Sequence, residues 1–243
     1  PDGYLGDWFE LHSDTTCLML RRVTKDATQR DGVCGIERLD RPRARLALTD
    51  AQIAERFMMM ARYTESQNEF LLGYLKRLRE LKAHDGFVLD DQSGYGGLIV
   101  QSHYFHMFSI ADDEALILET NLPSKCKYWS IQVINPLATT IDYVLHQSSL
   151  NDAQAQVDAD GRVRCVLSVS DPGVPNWLDS GGWLSGGVQW RWNEVDSAPH
   201  PSVRRVKLSE LQKALPLETP RIAAAERAAR LSNRAAYYQQ RRR

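Results

Sequence analysis

From Gly86 onward the apolar residues recur at every second position, and this change of period limits the folds open to the chain. The runs "LIVQSHYFHMFSI" (98–110), "ALILETN" (115–121), "KYWSIQVIN" (127–135), "TIDYVLHQS" (140–148), "VRCVLSVS" (163–170) and "GVQWRWNE" (187–194) all have the character of half-buried strands. Turn chemistry separates them: "DADGRV" (158–163) carries an Asp-Gly pair of the kind that joins two strands. Short strands punctuated in this way predict an antiparallel β-sandwich of jelly-roll-like form. No strand–helix–strand alternation with a glycine fingerprint is present, which disfavours a nucleotide-binding α/β fold.

Ahead of the strands the period is helical. Thr49 is a suitable N-cap, and Asp50 places a carboxylate in the first turn, where it suits the helix dipole. Over 49–84, Ile53, Phe57, Met60 and Ala61 share one face, whereas Phe70, Leu71, Tyr74, Leu75 and Leu78 share another. The break near residues 64–67 predicts a helical hairpin. The methionines at 58–60 are read as core packing in preference to a pliable ligand surface. Nearer the start, "TTCLMLRRV" (15–23) is a strand or short helix, "GVCGIERLD" (32–40) a strand, and "RPRARLAL" (41–48) a basic linker. Past Pro199, Thr219 and Pro220 open a final helix carrying seven arginines against one glutamate. The expected class is therefore α+β. A strand segment and helical hairpin occupy 1–85, the sandwich core 86–200, and a C-terminal helical, Arg-rich tail 201–243.

A net charge of −1 over 243 residues gives no global electrostatic case for nucleic acid or an anionic membrane. No apolar run approaches the roughly 20 residues that span a bilayer. Pro1 is not followed by a basic-then-apolar leader, so the expected location is cytoplasmic, a removed signal peptide being compatible with it. Cys17, Cys34, Cys126 and Cys165 form no CxxC pair, which argues against a zinc knuckle. Free, mostly buried thiols are expected, with a bridge between Cys17 and Cys34 as the alternative.

Candidate chemistry concentrates on a few segments. In "HYFH" (103–106) strand alternation puts His103 and His106 on opposite faces, so they should not share a metal. His146 has Asp142 and Val144 as face-mates on its expected strand. There is no GxSxG, P-loop or HExxH. Asp171 and Asp179 flank the loop "PGVPNWL" and are read as caps of its backbone. Pro172 and Pro175 fix their own φ and restrict the residues before them, so the loop is stiff and holds Asn176 and Trp177 in place.

The run 128–192 contains "YWSIQ", "DYVLHQSSLN", "VDADG" and "DPGVPNWLD". On these motifs the sequence resembles the bacterial family of domain of unknown function 1214, in its single-domain form without the companion domain 1254. The resemblance covers about the last two-thirds of the chain. It implies a jelly-roll-like β-sandwich with attached helices, and no agreed reaction.

These readings converge on a pocket for an apolar or aromatic small molecule, built from apolar walls and a few placed polar groups. Tyr104, Trp129, Tyr143, Trp177 and Trp190 would line it. If the protein is an enzyme, metal-independent hydrolase or lyase chemistry is expected, with His106 or His146 as base and Asn176 as an orienting donor. No cofactor is expected. Two other readings fit the same residues. One is a non-enzymatic assembly protein, a homo-oligomer or docked complex using the stiff loop and the tail helix as interfaces. The other is a carbohydrate-binding module, by fold analogy.

Overall fold

A computed structural model describes residues 3, 5–15, 17–18, 20, 25, 35–40, 47–92 and 97–241. The chain divides into two compact units, one of Pro1–Thr24 with Thr28–Gln67, the other of Lys25–Ala27 with Asn68–Arg243.

Helix α1 (Asp50–Glu80) begins at the expected N-cap. Thr49 Oγ1 accepts the Gln52 N–H at 3.3 Å, and Gln52 Oε1 accepts the Thr49 N–H at 3.0 Å, a reciprocal capping box. The expected hairpin is instead one uninterrupted helix of 31 residues. The sequence at 64–67 contains neither glycine nor proline, and the Thr64 hydroxyl donates back to the Met60 carbonyl at 2.9 Å, so nothing breaks the helix. The methionines at 58–60 are exposed, contrary to the core-packing expectation. Consecutive helical residues lie about 100° apart, so three in a row fan across the helix and cannot share one buried stripe. Described residues within 15–23 and 32–40 carry no strand; the others of those segments, Cys34 among them, lie outside the described residues. Cys17, Cys126 and Cys165 are free thiols, and burial pushes the Cys165 thiol up.

The second unit carries nine strands among the described residues: β1 (Val88–Leu89), β2 (Gln101–Ser109), β3 (Glu114–Asn121), β4 (Cys126–Ile134), β5 (Ser149–Asn151), β6 (Arg162–Ser168), β7 (Trp177–Asp179), β8 (Ser185–Val195) and β9 (Ser202–Lys207). They form an antiparallel five-stranded sheet, β1-β2-β8-β4-β5, and a four-stranded sheet, β7-β6-β3-β9. Only the short β6–β7 pair is parallel. Two further helices, α2 (Leu211–Ala214) and α3 (Ala224–Arg241), follow the strands.

One apolar cluster is shared by both sheets: Trp129, Ile131 and Trp190 come from the five-stranded sheet, Leu116, Leu118 and Leu167 from the four-stranded one. In the β4–β8 register Trp129 lies opposite Trp192 and Ile131 opposite Trp190, so the three indoles fall together. Trp129 and Trp190 stack with centroids 5.3 Å apart. On the outer face of the first sheet, Leu78 of α1 packs with Phe105 and Ile134. Phe105 reaches that position because Gly187 has no side chain: a Cβ there would lie 2.4 Å from the Phe105 ring. On the outer face of the second sheet, Leu211 and Leu215 pack with Ile117, Val166 and Trp177.

The segment 140–148, expected as a strand, is a turn after an isolated bridge at Thr140. Asp142 Oδ1 accepts the N–H groups of Val144 at 2.9 Å and Leu145 at 3.2 Å, and the Asp142 carbonyl accepts the His146 N–H at 3.0 Å. A short acidic side chain that satisfies its own backbone competes with ladder pairing. Helix α3 starts later than Thr219, because the lead-in is tied down first: Ile222 N–H donates to the Gly173 carbonyl at 3.0 Å.

Candidate functional site

The Asp142 turn detaches His146 from any strand and directs it to a partner sequence spacing did not suggest. His146 Nδ1 lies 2.7 Å from Asp179 Oδ2. Asp179 closes β7, and its other oxygen accepts the Gly181 N–H at 2.8 Å. Its backbone N–H donates to the Gln147 carbonyl at 3.0 Å, so the two loops are joined at both side chain and backbone. The His146 side chain is 39% exposed, that of Asp179 only 9%. An ionised carboxylate accepts and does not donate, so the contact requires the hydrogen on Nδ1, which leaves Nε2 as the other ring nitrogen of a partly exposed imidazole. This is the arrangement in which a buried carboxylate fixes the tautomer of a general base.

Gly181 and Gly182 follow at φ +60 and +85, left-handed values that turn the chain away from Asp179. A Cβ at Gly181 would lie 2.6 Å from the Ile141 side chain, so the close approach of the two loops also needs glycine. Apolar side chains are exposed on both loops, Tyr143 and Leu145 beside the exposed Asp142 on one, Trp183 and Leu184 on the other.

The stiff loop is spent inside the fold. Asp171 Oδ1 caps the Gly173 N–H at 2.9 Å. Asn176 clamps three backbone groups, accepting from Gln156 N–H at 2.8 Å and donating to the carbonyls of Gln156 at 2.7 Å and Arg164 at 2.9 Å. Trp177 is buried and donates from Nε1 to the Ser168 carbonyl at 3.2 Å. A small cleft beside Asn176, lined also by Gln156, Arg164 and Thr219, has a volume of about 10 Å³, room for roughly one water molecule.

Of the other candidate residues, His106, Tyr104, Trp129 and Trp190 are engaged elsewhere in the fold. His106 is buried, and its Nδ1 donates to the carbonyls of Ala83 at 2.9 Å and Gly86 at 3.1 Å, with Phe87 against the ring. Burial lowers its pKa. Tyr104 donates to the Ala198 carbonyl at 2.9 Å, and burial raises its hydroxyl pKa. Trp129 and Trp190 are interior. Tyr143 is the aromatic candidate that flanks His146, and it packs edge-on against Tyr238 of α3 at 4.8 Å. No group of three potential metal ligands comes together among the described residues.

Two features escaped the sequence. Asp90, almost fully buried, accepts from Tyr74 at 2.6 Å, Arg77 at 2.6 Å and Gln92 at 2.7 Å, fastening α1 to the end of β1. Burial first, and Asp90 second, push the Tyr74 hydroxyl up. Gln147 and Arg227 form the second feature. Gln147 Nε2 donates to the carbonyls of Pro175 at 3.0 Å and Trp177 at 2.6 Å, and its Oε1 accepts from Arg227 at 3.1 Å. In sequence Arg227 resembles any other arginine of the basic tail, and only its position on the helix face marks it as buried.

Among solved structures, the chain is similar to an uncharacterised protein of Burkholderia cenocepacia, with 28% identity and a TM-score of 0.64. That match covers 71% of this chain and 48% of the other. A protein of Vibrio parahaemolyticus is similar at 15% identity and a TM-score of 0.36, over 65% of this chain and 47% of its own. The chain thus spans about half the length of these solved proteins. No family model and no curated protein matches the sequence. The first likeness supports the two-sheet fold, and neither description names a function.

Proposed function

We propose that the protein is a jelly-roll-like β-sandwich of the family of domain of unknown function 1214 that binds and hydrolyses an apolar or aromatic ester-like small molecule at His146 and Asp179. The observation that carries this reading is the 2.7 Å contact between a half-exposed imidazole and a nearly buried carboxylate. His146 Nε2 takes a proton from water while the water oxygen bonds to the substrate's carbonyl carbon. The bond to the leaving oxygen then breaks, and that oxygen takes the proton from the imidazolium, giving an acid and an alcohol. Asp179 stabilises the imidazolium formed in between. The exposed Tyr143, Leu145 and Trp183 supply apolar surface for the rest of the substrate. This makes the site an open surface corner, because the tryptophans expected to wall a pocket fill the core.

p-Nitrophenyl butyrate tests the reading. The wild-type protein is expected to hydrolyse it, and His146→Ala to lower kcat/KM by about 100-fold or more. A wild-type rate no greater than that of His146→Ala would overturn the assignment.

A non-enzymatic assembly role is the second reading, favoured by the exposed Ile53, Phe57 and Tyr63 and the methionines at 58–60 of α1. The interfaces first expected for it, the stiff loop and the tail helix, are packed on each other within the chain. Carbohydrate stacking has less support, since Trp129, Trp177, Trp190 and Trp192 are buried.

A further inference from the structure

Helix α3 is fastened to both loops that carry the His146 and Asp179 pair, by two arginines seven residues apart, about two helical turns. Arg227 is 4% exposed. Its Nε donates to Asp171 Oδ2 at 2.9 Å and its Nη2 to Asp171 Oδ1 at 3.3 Å, a forked pair. The same guanidinium reaches the carbonyls of Val174 and Pro175, and lies over the Trp177 ring at 5.1 Å. Nη1 also donates to Gln147 Oε1 at 3.1 Å, and Gln147 is the residue next to His146. Arg234 takes the other side. Its Nε donates to the Tyr143 carbonyl, three residues before His146, at 2.5 Å. Its Nη1 and Nη2 donate to the Ser149 carbonyl at 3.2 Å and the Ser149 hydroxyl at 2.7 Å. The turn bearing His146 is therefore held at 143, 147 and 149 by one helix. Asp179 is tied to the same turn through the Gln147 carbonyl.

We infer that α3 is a clip that sets the geometry of the His146 and Asp179 pair, and that Arg227 is its positioning residue, acting through Gln147 and the loop 171–177. The inference rests on the reading of that pair as the reactive site. Arg227 touches neither member of it. Its loss leaves Asp171 and Gln147 without their shared partner and frees the turn on that side. A planar, forked guanidinium makes these bonds together, whereas a lysine ammonium holds charge without the fork. Arg230, on the same helix, pairs with Glu226 at 2.8 Å, an i,i+4 contact confined to α3, and serves as the control.

The test combines two measurements on the full chain for wild type, Arg227→Lys, Arg227→Met, Arg234→Gln and Arg230→Ala. Nitrogen-15 spectra report whether His146 keeps its hydrogen on Nδ1, and p-nitrophenyl butyrate reports turnover. In Arg227→Met the His146 signals are expected to leave the single Nδ1–H form, with kcat falling about tenfold or more and KM little changed. Arg227→Lys recovers part of both, and Arg230→Ala changes neither. Arg234→Gln moves the His146 signals in the same direction from the solvent side, and stands in if Arg227→Met does not fold. Unchanged His146 signals and kcat in folded Arg227→Met and Arg234→Gln would overturn the clip while leaving the reactive pair intact. Loss of the Nδ1–H form in these variants, in a protein with no ester turnover at all, would support the clip and sink the hydrolytic reading alone.

Discussion

At the scale of single residues, two histidines of similar promise in sequence have been given opposite environments. His146 stands half in water with one carboxylate; His106 is enclosed, with its Nδ1 hydrogen shared between two carbonyls. Burial lowers the His106 pKa below its ordinary value of 6.5. Below 6.5 the unfolded chain therefore binds a proton that the folded chain resists. The stability contributed by the neutral ring is full above 6.5 and is lost as the pH falls from there through the lower folded value. Urea unfolding at pH 7.5 and 5.5 should show that loss in wild type. His106→Asn keeps an N–H donor without the titration and should show a smaller difference between the two pH values. An equal difference in both proteins would remove His106 as its source.

At the scale of elements, what was legible depended on whether a segment's structure is decided locally. The N-cap at Thr49, the turn at Asp158 to Gly161 and five of the six strands expected after Gly86 follow from local pattern and turn chemistry. The segment 140–148 did not, because Asp142 diverts its backbone into a turn that alternating residues conceal. The helical hairpin failed for a different reason: the two apolar faces of α1 belong to halves with different surroundings, and no breaker separates them. Tyr74 and Leu78 meet the sheet, whereas Phe57 and the methionines at 58–60 are exposed. Phe57→Ser should therefore change unfolding free energy by no more than about 0.5 kcal/mol. A loss of about 2 kcal/mol or more in urea melts would show that Phe57 is packed against something.

At the scale of the whole molecule, the second unit places Trp129, Trp177, Trp190 and Trp192 in the interior and its candidate chemistry on a corner. Length and alternation announced the two-sheet core; the corner was hidden, because it is made by side chains 33 to 80 residues apart in sequence. Trp190, fully buried and packed against both Trp129 and Trp192, belongs to the core. Trp190→Ala should cost about 3–5 kcal/mol in unfolding experiments, and a cost under about 1 kcal/mol would contradict the packing described. No helix among the described residues is long and apolar enough to cross a membrane. The central claim is that Asp179 fixes His146 as a base with its lone pair on Nε2. Nitrogen-15 NMR of the imidazole, in wild type and in Asp179→Asn, tests it most directly. For the deprotonated ring the account predicts the hydrogen on Nδ1 in wild type, and a shift toward the Nε2–H form in Asp179→Asn. A wild-type ring already in the Nε2–H form, or a mixture that the substitution leaves unchanged, would contradict it.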